Sequence, residues 1–109
     1  MNKKVNISFK DALLKKSFDE LSEEDPLKKR IKRAIEGIRQ NPFGYGQPIS
    51  KSKIPKAYSD NGFTNAFWVD LSKSWRLIYS LTSINEVEIL AIILEWFTRH
   101  KDYERRFKY

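Results

Sequence analysis

The sequence contains no cysteine. That excludes disulfides, a thiol nucleophile and any cysteine-ligated zinc, and it fits a reducing compartment. Histidine occurs once, at position 100, and glycine only four times. No zinc-ligand spacing, phosphate-binding glycine loop or hydrolase elbow can be drawn from these residues. Long apolar runs are also missing. The longest, residues 89–94, falls far short of the roughly 20 residues a membrane-spanning helix needs. After Met1-Asn2-Lys3-Lys4 the chain alternates polar and apolar residues, so no signal peptide is expected. The expectation is a soluble cytoplasmic protein with no membrane partner.

What is present describes one folded unit. At 109 residues the chain is read as a single domain, 1–109, long enough to bury a core without staples. Hydrophobic residues make up 40% and aromatics 14%, which argues against disorder. The net charge is +7 and unevenly spread. Residues 26–60 carry nine Lys/Arg against two acids, and residues 99–109 five against two. Residues 1–25 and 61–98 are slightly acidic. Segregated positive charge favours an anionic partner such as nucleic acid or an acidic protein over a merely solubilising surface.

Val5, Ile7 and Phe9 alternate with polar residues, the period of a half-buried strand. Asp11 suits a helix N-cap, and Leu14, Phe18 and Leu21 form a helical stripe behind it. Asp25-Pro26 opens a second helix. Its apolar face is Leu27, Ile31, Ala34, Ile35 and Ile38; Lys28, Lys29, Lys32, Arg33 and Arg39 are assigned to the other. Asn41-Pro42 ends it. Residues 42–62 read as a long basic loop holding Lys51, Lys53 and Lys56. Three strands follow, over 63–71, 75–81 and 86–96, expected to form an antiparallel meander. Ile84-Asn85 is assigned to the turn between the last two. Residues 99–109 read equally as a helical turn or an extended tail. The order predicts an α+β fold: an N-terminal strand and an antiparallel helical hairpin packed on a small, mainly antiparallel sheet.

That order resembles the RelE/ParE superfamily of bacterial and archaeal toxins. The likeness is carried by the helical pair, Asn41-Pro42 before a basic loop, Trp75-Arg76-Leu77-Ile78-Tyr79 on a strand, and Arg99-His100-Lys101-Asp102-Tyr103 after the last strand. It implies a toxin of a type II toxin–antitoxin system. Its RelE-like branch cuts messenger RNA on the ribosome without metal or other cofactor and so inhibits translation. Its ParE-like branch inhibits DNA gyrase instead. Both are restrained by a cognate, usually acidic, antitoxin, and a non-toxic binding relative is a third reading. The resemblance matches Arg76 to the arginine that contacts the scissile phosphate, and Tyr103 to a tyrosine used for proton transfer or stacking. His100 matches a terminal histidine of some branches. The paired strand lysines of the family fall near Trp68 and Asp70 here, leaving Lys73, Lys51 and Lys53 as substitutes. Arg99 and Lys101 complete the candidate RNA contacts.

These residue types suit metal-free RNA cleavage. The reaction needs a base for the 2′-OH, an acid for the leaving 5′-oxygen and a cation on the phosphate. Arg76 can bind phosphate oxygens in a bidentate way, or simply pair with Asp70 across the hairpin. His100 titrates near neutrality, or is a surface residue. Tyr103 can stack on a base or move a proton, or pack under the sheet edge. Trp68, Trp75 and Trp96 read as core or sheet-surface aromatics.

Overall fold

A computed structural model of the chain describes residues 3–108; Met1, Asn2 and Tyr109, the ends of the single domain read above, lie outside them. The first alternating stretch is β1 (Lys4–Phe9). Asp11 then accepts from the Leu14 N–H at 2.9 Å, satisfying one of the donors a first helical turn leaves over. It caps α1 (Ala12–Asp19). Asp25 does the same at 2.8 Å for Leu27, opening α2 (Pro26–Gln40) with proline in its first turn. The predicted stripes of both helices join one apolar core against the sheet.

Lys28 departs from the sequence reading. It is assigned above to the exposed face of α2, but its side chain is buried. Its ammonium donates to the Leu21 carbonyl at 3.0 Å, pairs with Glu23 at 2.9 Å and lies 5.1 Å from the centre of the Phe18 ring. The carbonyls leaving α1 carry the negative end of the helix dipole, and they draw this cation back over the corner. Glu23 also accepts from Lys32 at 2.6 Å. Hydrogen bonds from Lys32 and then Lys28 hold its carboxyl down at about 2.

The remaining strands are β2 (Gln47–Pro48), β3 (Phe67–Asp70), β4 (Arg76–Asn85) and β5 (Glu88–Phe97). The sheet order is β1-β5-β4-β3-β2. β2 to β5 pair antiparallel, as the meander required, and β1 lies parallel to β5. The chain is therefore an α+β fold on a five-stranded mixed sheet. β5 is internal to the sheet and apolar on both sides because both sides are covered. Ile84 and Asn85, expected in a turn, lie in β4. The turn comes next, where Asn85 Oδ1 accepts from the Val87 N–H at 2.9 Å.

The 42–62 loop is more ordered than its turn-rich sequence suggests. It contains β2, a 3-10 turn at Lys51–Lys53 and a short helix, α3 (Lys56–Ser59). Tyr79 anchors its start from inside the sheet. The hydroxyl donates to the Pro42 carbonyl at 2.8 Å and accepts from the Gly46 N–H at 3.0 Å. A Cβ on Gly46 would sit 2.8 Å from the Tyr79 ring, so the close approach requires glycine.

The sheet face away from α1 and α2 carries a second core, covered by the loop and by α4 (His100–Phe107). A β-bulge shapes it. Ile78 pairs with Glu95 but Tyr79 pairs with Ile93, leaving Leu94 as the extra residue. Leu94 and Glu95 both serve the α4 side: Leu94 joins its core, and Glu95 Oε1 meets Arg106 Nε at 2.8 Å.

Two stability outcomes follow from the Lys28 corner. Lys28→Met leaves the Leu21 carbonyl without its donor and should lower unfolding stability in urea by about 1–3 kcal/mol; an unchanged midpoint would contradict the role. Glu23 has a depressed folded-state pKa, so its contribution is present above about pH 4.5 and is lost as pH falls toward about 2. Glu23→Gln should flatten the stability–pH curve in that window and leave its slope unchanged above it.

Candidate functional site

The start of β4 places Arg76 directly opposite Asp70 on β3 and Phe97 on β5. The strand period of two puts Trp68 on the same sheet face as Asp70. Arg76 therefore meets a carboxylate and an aromatic ring from one strand. Its Nε donates to Asp70 Oδ1 at 3.2 Å, and its guanidinium carbon lies 4.2 Å from the centre of the Trp68 ring. From above, α4 brings the Tyr103 ring to 4.7 Å of the same carbon. Each cation–π contact contributes about 0.5–2 kcal/mol, more as water is excluded. The Arg76 side chain is 27% exposed. Asp70 occupies its Nε edge, and the two Nη groups make no ion pair or hydrogen bond among the described residues. A fixed planar fork with an open edge suits a phosphate oxygen pair.

Tyr103 joins this arginine to the histidine. Its ring is 3% exposed, packed edge-on to Phe97 at 5.7 Å and stacked on Phe107 at 4.7 Å. The His100 imidazole stacks on it at 6.1 Å, 19° from parallel. With the ring buried, Tyr103 offers its faces to Arg76 and His100 rather than to an RNA base. His100 itself is 61% exposed, with Nε2 2.9 Å from Glu104 Oε1 one helical turn on. The contact with that carboxylate leaves Nδ1 free, as a hydrogen-bond acceptor in the neutral imidazole and a donor in the protonated one. The group can therefore act as base or acid while remaining in solvent.

The candidate RNA contacts divide into separate regions. Lys73 is exposed in the β3–β4 turn, three residues before Arg76. Arg99 caps α4 and lies 3.8 Å from Asp102, while Lys101 is exposed on the helix. Lys51 and Lys53 are exposed in the 3-10 turn, and Lys53 lines a different cleft, beside Arg106 and Lys108. Trp68 is the sheet-surface aromatic that the sequence suggests; its contact with Arg76, and Glu104 beside His100, are what sequence reasoning missed. Pairing Asp70 with Arg76 places Trp68 two residues away on the same face, and Glu104 stands at the i+4 spacing from His100. Both signals depend on knowing the register and that 99–109 is helical. Among the described residues no group of three His, Asp or Glu is arranged to hold a metal ion, and no helix is long and apolar enough to cross a membrane.

Tyr103→Ala should cost about 3–5 kcal/mol of stability, the usual range for deleting a buried aromatic ring. Tyr103→Phe keeps the ring and should cost about 1.5 kcal/mol or less. Equal losses in urea unfolding for the two variants would show that the hydroxyl, not the ring, holds the site together.

No family model matches the chain, and neither a curated protein nor a solved structure matches it, so what the site can do rests on the geometry of Trp68, Arg76, His100 and Tyr103.

Proposed function

We propose that the chain is the toxin of a type II toxin–antitoxin system, a RelE-like, metal-independent endoribonuclease that cuts messenger RNA on the ribosome and stops translation in the cytoplasm. The observation that carries the reading is the meeting of Arg76 and His100 on one buried ring, although 24 positions separate them in the sequence. Further support comes from the element order of a strand and two helices followed by a meander.

In this reading the open Nη edge of Arg76 binds the scissile phosphate and offsets the charge that builds on it. His100, oriented by its contact with Glu104, takes the 2′-hydroxyl proton as the 2′-oxygen bonds to phosphorus and the bond to the 5′-oxygen breaks, and the leaving 5′-oxygen takes its proton from solvent. Tyr103 and Trp68 hold the guanidinium in place. Lys73 and Arg99 precede Arg76 and His100, Lys101 follows His100 on α4, and the three supply phosphate contacts along the strand. An acidic cognate antitoxin would neutralise the same cations.

A second reading is favoured by a specific feature. Trp68 and Asp70 stand where the RelE-like branch has two lysines, and Asp70 occupies one edge of Arg76. A ParE-like toxin that binds gyrase without cutting RNA, or a non-toxic binding relative, needs no such lysines.

Arg76→Ala should relieve growth arrest on expression while the chain still folds, with a melting temperature lowered by the lost cation–π contacts, and cut the rate of message cleavage by about 100- to 1,000-fold. Primer extension on induced cells should show codon-phased cuts with the parent chain. Arrest by Arg76→Ala equal to the parent would remove Arg76 from the site. Supercoiling defects with intact messages would favour the gyrase reading.

A further inference from the structure

A second cationic feature lies away from Arg76. Two adjoining hollows of about 440 Å³ each run between residues 52–57 and the C-terminal half of α4. Both are lined by Lys56, Arg106 and Lys108, so they form one trough; Lys53 extends it at one end and Arg105 at the other. Arg76, His100 and Tyr103 line neither hollow. The helix itself separates the two regions. With Tyr103 and Phe107 facing the core, 3.6 residues per turn puts His100 and Glu104 on one flank of α4 and Asp102 and Arg106 on the other.

The trough is short of anions. Asp102 is the acidic residue lining it among the described residues, and it lies 3.9 Å from Arg105. Arg106 is held through its Nε by Glu95, which fixes its position and leaves the rest of the fork to the trough. Lys53, Lys56 and Lys108 make no ion pair among the described residues. Lys108 also closes α4 in the left-handed region, at φ 57°, a conformation that favours glycine or asparagine. A lysine kept at a strained backbone position beside two other unpaired lysines indicates a use for its charge. The aromatic floor is already closed, with Phe97 8% and Phe107 7% exposed. It gives the apolar anchors of a peptide little to cover, and no ring face on which a base could stack.

We infer that this trough binds a sugar–phosphate backbone, independently of base sequence and of Arg76, as a second docking site for nucleic acid. The inference does not require that Arg76 bind or cleave RNA. Phosphates spaced along a strand match separated lysine charges in an open channel, and their binding is driven by counterion release.

The test is fluorescence anisotropy with labelled oligo(dT), which has no 2′-hydroxyl to be cut, titrated from low to moderate salt. A variant carrying Lys53→Gln, Lys56→Gln and Lys108→Gly removes three cations and relaxes the left-handed cap. Its log affinity–log salt slope should fall by about 2, close to 0.7 per cation for a single strand, with affinity down about 10-fold or more. A control variant with Lys4→Gln, Lys29→Gln and Arg33→Gln has the same net charge and should keep the parent slope. Arg76→Ala should retain the trough's share of the slope. The single variants Lys56→Gln and Lys108→Gly, each lowering the slope by about 0.7, serve if the triple variant melts early. Equal losses in trough and control variants would overturn the inference, as would loss of binding in Arg76→Ala alone. Displacement of oligo(dT) by polyglutamate at lower charge concentration than by unlabelled oligo(dT) would assign the trough to an acidic polypeptide instead.

Discussion

The burial of one ring, Tyr103, governs how the proposed chemistry is assembled. Arg76 begins a strand and His100 begins a helix after the following strand; neither element alone directs its side chain toward the other. Tyr103 gives both a common surface, and it is fixed in turn by Phe97 below and Phe107 one turn along. The bulge at Leu94 reinforces this from the sheet. By sending two successive residues to one side, it supplies Leu94 to the core under α4 and Glu95 to the ion pair with Arg106. Apolar burial and an ion pair buried on its Glu95 side thus hold the same helix at neighbouring points, so its position is set without a long connection.

Charge is organised around this helix with unequal consequences. On the His100 flank both main groups have a carboxylate beside them, Asp70 for Arg76 and Glu104 for His100. Such pairing keeps both groups oriented at a cost in attraction for a bare anion, since a carboxylate competes with any phosphate that arrives. On the other flank three lysines, Lys53, Lys56 and Lys108, make no ion pair among the described residues. The α1–α2 corner shows a third use of charge. Lys28, in the most basic stretch of the chain, serves a purely structural end by capping carbonyls and pinning Glu23. Net charge alone would place it with the polyanion-binding residues, and burial removes it from them.

Much of the architecture was legible because its signals are local. Asp11 and Asp25 cap the two helices as their side-chain chemistry dictates, and the period of two assigns Trp68 and Asp70 to one face and Val69 to the other. The parallel pairing of β1 with β5 was not legible, because it joins residues more than 80 positions apart with no turn to set the register. Nor was the order in residues 42–62, which depends on the Tyr79 hydroxyl reaching Pro42 and Gly46 from another element. At the site, the candidates Arg76, His100 and Tyr103 were drawn from a resemblance, and the coordinates put them around one ring. Trp68 was read as a core or sheet-surface aromatic; its contact with Arg76 was not legible, because it depends on the strand register and not on residue type. Tyr103 was read either as acting on substrate or as packing under the sheet edge, and its ring is buried.

The central claim is that Arg76 and His100 act on one phosphate. Its most direct measurement is a double-mutant cycle on ribosome-bound message, comparing cleavage rates for Arg76→Ala, His100→Ala and the pair. Groups acting in one transition state are strongly non-additive, so the double variant should be little slower than the slower single one. Losses that multiply, or a His100→Ala rate equal to the parent, would contradict a shared site.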